Sequence, residues 1–198
     1  GRNLRPRPGD IDRRRCVRRV SSQHAPPLLH RVRLRLCEPR GCRTSNLAIA
    51  LAALEATVAV QRAGKVVTLS IRGLYQDAWS NPLAHNSLAP ADLILRVDVP
   101  VRQTRSAYLQ VSEKHDFDWA LVSCSAAARV DGKKLSGARV VLGQVAPVPY
   151  RSDDADKFLE GKSLDNGVAA QAANLLLKGA TPLEHNAYKV PLAHALIR

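Results

Sequence analysis

A chain of 198 residues with 45% hydrophobic content is long enough to bury a sizeable core, which leaves one large or two small domains as the expectation. It holds no run of 18 or more apolar residues and opens on charged ones, which argues against a spanning helix or a signal segment. The net charge of +13 is gathered at one end: residues 1–43 carry 13 Arg and no Lys against Asp10, Asp12 and Glu38, and the remainder is only +3.

Residues 1–43 contain no Phe, Tyr or Trp, and Pro clusters interrupt each periodic segment before it reaches useful length. The nearest approach to a pattern is 30–37, where Val32, Leu34 and Leu36 alternate with Arg31, Arg33 and Arg35, as in a one-faced edge strand. An Arg arm can neutralise phosphates. Without interleaved aromatics to stack on bases, however, nucleic acid is the less favoured partner. Cys37 and Cys42 with His24 and His30 fit no zinc spacing, and Cys124, inside the apolar run V-S-C-S-A-A-A, reads as a small buried hydrophobe.

The character changes at Ser45, which can cap a helix through N-L-A-I-A-L-A-A-L-E-A with Leu47, Leu51 and Leu54 on one face. Residues 57–61 and 66–71 alternate around Arg62-Ala63-Gly64-Lys65 and predict a hairpin. Residues 73–90 read as a loop carrying Trp79, and 93–99 as a strand ended by Pro100. Three strand-length runs, 108–111, 120–130 and 138–146, with the turn dipeptide Asp131-Gly132, predict an antiparallel sheet. Helices then follow at 153–159 between Ser152 and Gly161, at 164–177 as a mostly buried helix, and at 183–197 with a kink or restart at Pro191. Strands followed by helices imply an α+β fold.

No P-loop, G-x-G-x-x-G or G-x-S-x-G is present. His115, Asp116 and Asp118 are close enough in sequence for acid–base work but read better as a charged turn, and His185 as a helix-start or packing residue.

Several motifs in order resemble one family. S-A-Y-L-Q-V-S-E-K-H-D-F-D-W-A-L-V-S, A-R-V-V-L-G-Q-V-A-P-V-P-Y-R and A-D-K-F-L-E-G-K are similar to the C-terminal domain of the FAD-binding subunits of molybdenum hydroxylases. These are the xanthine dehydrogenase, aldehyde oxidoreductase and carbon monoxide dehydrogenase medium subunits. S-N-L-A-I-A-L-A-A-L-E-A and L-A-P-A-D-L-I-L-R-V-D-V-P resemble the family's H-P-S-D-L-A-x-A-L-x-A-L-x-A and L-x-P-x-E-L-I, and the ending E-H-N-A-Y-K-V-P-L-A its aldehyde oxidoreductase or xanthine dehydrogenase branch.

The resemblance implies an N-terminally truncated chain in three parts. These are a basic leader over 1–44, the distal part of an FAD-binding α+β subdomain over 45–102, and a C-terminal domain of antiparallel sheet and helices over 103–198. In the leader, Gly1, Asn3 and Leu4 resemble a remnant of the second FAD loop, G-G-N-L-x-Q-R-x-R-C, with Arg2 in place of its second Gly. Other implied flavin-side positions are Asn46, where the family has Asp, Ile94, and Gln110, on which the Lys of S-x-Y-x-K falls. Cys16, Cys37 and Cys42 occupy the region that in one branch holds a 4Fe-4S cluster. The family pattern is lost across 8–43, as a shifted reading frame would produce; the nucleotide sequence decides that.

The implied function is electron transfer through FAD to an external acceptor, with substrate chemistry on another subunit. The implied partners are a molybdopterin-binding subunit and a 2Fe-2S subunit. The alternative is a docking or structural remnant without flavin.

Overall fold

Alternating apolar residues and a two-residue turn set up the first sheet. The structure is a computed structural model and describes residues 45–81, 84–114 and 118–198, without the side chains of Trp79 and Ser80. Strand β1 (Thr57–Arg62) pairs antiparallel with β2 (Lys65–Ser70), and Ala63 and Gly64 take φ 48° and 79° between them, the left-handed pair that a tight hairpin requires. β3 (Leu93–Asp98) pairs with the other edge of β1, giving the order β2-β1-β3. Val58, Ala59 and Val60 are buried at its centre, whereas every residue of β3 is exposed.

The loop before β3 is tied to this sheet by charge. Arg62 meets Asp92 at 2.8 Å and donates to the Ser87 carbonyl, while the Ala89 N–H donates to the Asp92 carboxylate at 2.9 Å. The Arg62 guanidinium first, and the Ala89 N–H second, hold the Asp92 carboxyl below its ordinary range. A carboxyl lowered on folding stabilises fully above its unfolded titration, and that contribution is lost as pH falls through the folded value. The protection of the Ala89 amide, its exchange relative to the intrinsic rate at each pH, is therefore expected to fall on acidification through and below the ordinary carboxylate range. Asp92→Asn should remove that pH dependence; protection with the same acid dependence in the variant would reject the assignment.

The second sheet has the order β4-β5-β6-β7, all antiparallel: β4 (Arg105–Ser112), β5 (Ala120–Asp131), β6 (Lys134–Gly143) and β7 (Tyr150–Arg151). Asp131 pairs with Lys134 across a turn in which Gly132 has φ 59°. The strand period of two divides β5 between two layers. Val122 and Cys124 pack with Leu142, Leu159, Leu176 and Ala193 toward the C-terminal helices, whereas Ala127 joins Val141, Ile49 and Ala53 on the opposite face.

Burial pushes the Cys124 thiol up to about 12. Iodoacetamide at pH 8 should leave Cys124 unmodified in the folded protein and alkylate it in denaturant, as peptide mass mapping would report. Equal labelling in both states would contradict the packing.

The helices differ from the sequence expectations in instructive ways. α1 (Asn46–Ala53) begins after Ser45, which stands at the cap position without a side-chain capping bond. Its fully buried residues are Ala48, Ile49 and Ala53; of the Leu stripe, Leu51 and Leu54 are partly buried against the two cores and Leu47 is 66% exposed. The reason is that α1 packs close on β5 and β6, where small residues and one Ile fit better than a row of Leu. The expected loop over 73–90 starts with two short helices, α2 (Ile71–Leu74) and α3 (Gln76–Ser80). Ser70, the last residue of β2, also caps α2 by accepting from the Gly73 N–H at 3.0 Å, so Ile71, expected to end the strand run, opens the helix instead, and Ile71 and Leu74 enter the core of the first sheet.

α4 (Asp153–Leu159) has the expected bounds, with the Ser152 hydroxyl accepting from the Ala155 N–H and Gly161 at φ 70° beyond its end. α5 (Asn166–Leu176) starts later than expected because Asp165 caps it, accepting from the Val168 N–H at 2.8 Å. It is one-sided rather than mostly buried: Ala169, Ala172, Ala173 and Leu176 face inward, and Gln171 and Asn174 are exposed. α6 is confined to Lys189–Ile197, since Pro191 fits only its first turn, where its missing N–H is not needed. The preceding residues form turns, with the Asn186 side chain accepting from the Leu183 N–H.

Candidate functional site

Where α1 begins, three strand residues and the end of β6 bring a line of polar side chains together. Register places Gln110 opposite Ser123, Ser123 opposite Gly143, and Tyr108 opposite Ser125, so all present the sheet face covered by α1. Gly143 is required at this point: a Cβ there would stand 1.9 Å from Ile49 Cδ1 and 2.5 Å from Ser123 Oγ. The missing side chain lets α1 settle on the sheet, and this sets Asn46 above Gln110.

The resulting network is continuous. Tyr108 OH donates to Gln110 Oε1 at 2.9 Å, and Asn46 Nδ2 donates to the same oxygen at 3.3 Å. Gln144 Nε2 donates to Asn46 Oδ1 at 2.9 Å, and Ser123 Oγ donates to Gln144 Oε1 at 2.5 Å. Gln144 holds φ 60°, a left-handed backbone that a non-glycine residue keeps only when its surroundings impose it. Lys189 supplies one constraint: fully buried at the start of α6, its Nζ donates to the Gln144 carbonyl at 2.8 Å.

Buried Ser123 and Gln144 form the base of the cluster, and Asn46, Gln110 and Tyr108 its solvent-facing side. Burial pushes the Tyr108 phenol up against a lowering contribution from Ser123. The phenol therefore stays protonated at neutral pH and serves as a hydrogen-bond donor, not a base. The amide N–H groups of Gln110 have no partner among the described residues. The exposed rim is thus neutral, with amide donors and acceptors beside an aromatic ring.

Of the positions singled out in the sequence, Asn46 and Gln110 meet directly. Ile94 lies on β3 in the other sheet, opposite Val60 and 47% exposed, outside this network. Gly1, Asn3, Leu4, Cys16, Cys37 and Cys42 fall outside the described residues, as do His115 and Asp116. Asp118 is a turn brace: it accepts from the N–H groups of Lys114 and Trp119, of which the first does most to hold its carboxyl below the usual range. His185 is exposed beside Glu184. Among the described residues no group of three or more His, Cys, Asp or Glu could hold a metal, and no helix is long and apolar enough to cross a membrane.

Tyr108, Ser123, Gln144 and Lys189 are the members that sequence reasoning missed. The available signal was polarity out of place. Gln144 interrupts V-V-L-G-Q-V-A, and Lys189 opens the apolar K-V-P-L-A helix.

A four-stranded antiparallel sheet lies between one helix and a C-terminal helical layer, with a neutral amide cluster on its α1 face, and makes an α+β domain. Residues 106–198 match the family described as CO dehydrogenase flavoprotein C-terminal domain. Residues 106–198 are therefore a domain of the CO dehydrogenase flavoprotein C-terminal type. The chain is 22% identical over 138 residues to the glyceraldehyde dehydrogenase medium chain of Sulfolobus acidocaldarius, a match covering 70% of this chain and 47% of the relative.

Among solved structures, the fold is similar to quinoline 2-oxidoreductase from Pseudomonas putida 86, with TM-score 0.66 and 24% identity over 77% of this chain and 53% of that one. It is also similar to carbon monoxide dehydrogenase from Hydrogenophaga pseudoflava lacking the Mo-pyranopterin moiety, with TM-score 0.65 and 22% identity over 77% and 56%. The chain thus spans about half the length of the relatives it matches.

Proposed function

We propose that this chain is a flavin-binding electron-transfer component of a molybdopterin-dependent oxidoreductase of the xanthine dehydrogenase or aldehyde oxidoreductase type. Electrons arrive from iron–sulfur clusters and leave through FAD to an external acceptor. The observation that carries the reading is the Tyr108–Gln110–Asn46–Gln144 cluster on a domain of flavoprotein type. Bound FAD supplies the redox chemistry; the protein binds and orients it.

The residues present fit the flavin ring. Its polar edge alternates acceptors and an N–H donor, which the amides of Gln110 and Asn46 can pair, and the half-exposed Tyr108 offers an aromatic surface beside them. The neutral rim suits an uncharged heterocycle. The exposed apolar residues of β3, with Leu93 and Ile94 among them, support a further role in docking a molybdopterin-binding or 2Fe-2S subunit.

Fluorescence titration tests the cofactor claim on the full chain. Riboflavin and FAD should both be quenched saturably, because the cluster addresses the ring they share. Gln110→Ala should weaken both by about fivefold, as expected for loss of one good hydrogen bond. A protein that quenches neither flavin would leave the alternative, a docking piece without cofactor.

A further inference from the structure

The opposite face of the same sheet carries a second, unrelated feature. Val122, Leu142 and Leu176 fill the sheet–helix interface at one end and are fully buried. Toward the β5–β6 turn Ala126, Ala128 and Ala138 from the strands face Ala169 and Ala172 from α5, with Leu135, Leu159 and Ile197 among the larger residues around them. The small side chains at the centre leave a gap that the larger ones border but do not fill. The gap is a cleft of 650 Å³, within the size range of small-molecule pockets. Its walls are apolar, so water inside finds few hydrogen-bond partners and an apolar occupant displaces it favourably.

The mouth has a definite sign. Arg105 at the start of β4 and Lys133 in the β5–β6 turn both border the cleft. Neither has an ion-pair partner among the described residues. An apolar body suits the floor, and an anionic head would give both cations a partner at the rim.

We propose that this cleft binds an amphipathic anion with an aliphatic body and a terminal carboxylate. The site is separate from the Asn46–Gln110 cluster: no residue of that cluster lines the cleft, which is bordered by Leu159 of α4, Ala169 and Ala172 of α5 and Ile197 of α6. It makes no use of a flavin and stands whether or not the chain binds one.

Calorimetric titration of the full chain with decanoate, and in parallel with decanol, tests it. One saturable decanoate site is expected. Ala128→Leu, which fills the floor from a partly exposed position, should weaken both ligands by about tenfold. The double variant Arg105→Gln, Lys133→Gln should weaken decanoate by about fivefold and leave decanol within about twofold. Near-UV circular dichroism checks that Ala128→Leu is folded; if it is not, the surface double variant decides alone. Absence of a saturable decanoate site would overturn the proposal, as would equal weakening of acid and alcohol by the charge variants.

Discussion

Replacing Gly143 with Ala is expected to destabilise the protein by about 3 kcal/mol, the upper part of the range for overpacking a filled core. The added methyl would stand 1.9 Å from Ile49 Cδ1 and 2.5 Å from Ser123 Oγ. Ile49 is fully buried, so its terminal carbon cannot swing into solvent, and Ser123 is held by its bond to Gln144. Relief must come from lifting α1 off the sheet, which draws Asn46 away from Gln110 and Gln144. Ile49→Val removes the closest clashing atom at a cost of about 1 kcal/mol. In that background Gly143→Ala should cost only about 1 kcal/mol, the remainder being the Ser123 contact. Urea denaturation of the four proteins measures this cycle. Additive losses would mean that Ile49 is not what Gly143 accommodates.

Much of the fold is local and therefore legible. The β1–β2 hairpin follows from alternation around Ala63-Gly64, the β5–β6 hairpin from Asp131-Gly132, and α4 from Ser152 and Gly161, each within a few residues of sequence. One expectation that failed depends on partners distant in the chain, and two fail on local signals. The Leu stripe on α1 is a sound amphipathic pattern, but β5 and β6 take Ile49, Ala53 and Leu54 at close range, Leu51 meets the first-sheet core, and Leu47 is left exposed. The extended start assigned to α5 and α6 fails because Asp165 caps later and Pro191 can occupy only a first turn.

The cluster is half legible because its members, too, are distant in the chain. Asn46 and Gln110 lie 64 positions apart and were noticed through separate motifs, while their contact depends on α1 crossing the second sheet. At this contact a neutral amide meets a neutral amide, so neither partner is left as a lone charge. Gln144 and Lys189 carry no motif, because their roles arise from burial: one keeps a left-handed backbone and the other an ammonium inside the protein.

Lys189→Met is expected to cost about 2–3 kcal/mol, as the loss of a charge-assisted hydrogen bond to a buried carbonyl predicts. Two effects oppose each other. Removing a buried ammonium relieves its desolvation cost, which by itself would stabilise the protein. Against this, the substitution withdraws the donor that Lys189 Nζ gives the Gln144 carbonyl at 2.8 Å. The loss should win because Met keeps most of the apolar stem and supplies no N–H, so the buried carbonyl loses this donor. Freed of Lys189, Gln144 has less reason to hold φ 60° and can relax toward negative φ, withdrawing its amide from Asn46 Oδ1 and Ser123 Oγ. Riboflavin quenching, measured well below the thermal transition, should therefore fall in Lys189→Met although the residue lies beneath the rim that meets the ring. Gln144→Gly separates the two contributions: it keeps the carbonyl that Lys189 engages, suits the left-handed backbone, and removes the side-chain amide, so quenching should fall while the Lys189 bond remains. If Lys189→Met matches the parent in stability and in quenching, desolvation outweighs the hydrogen bond and Lys189 does not hold the cluster in place.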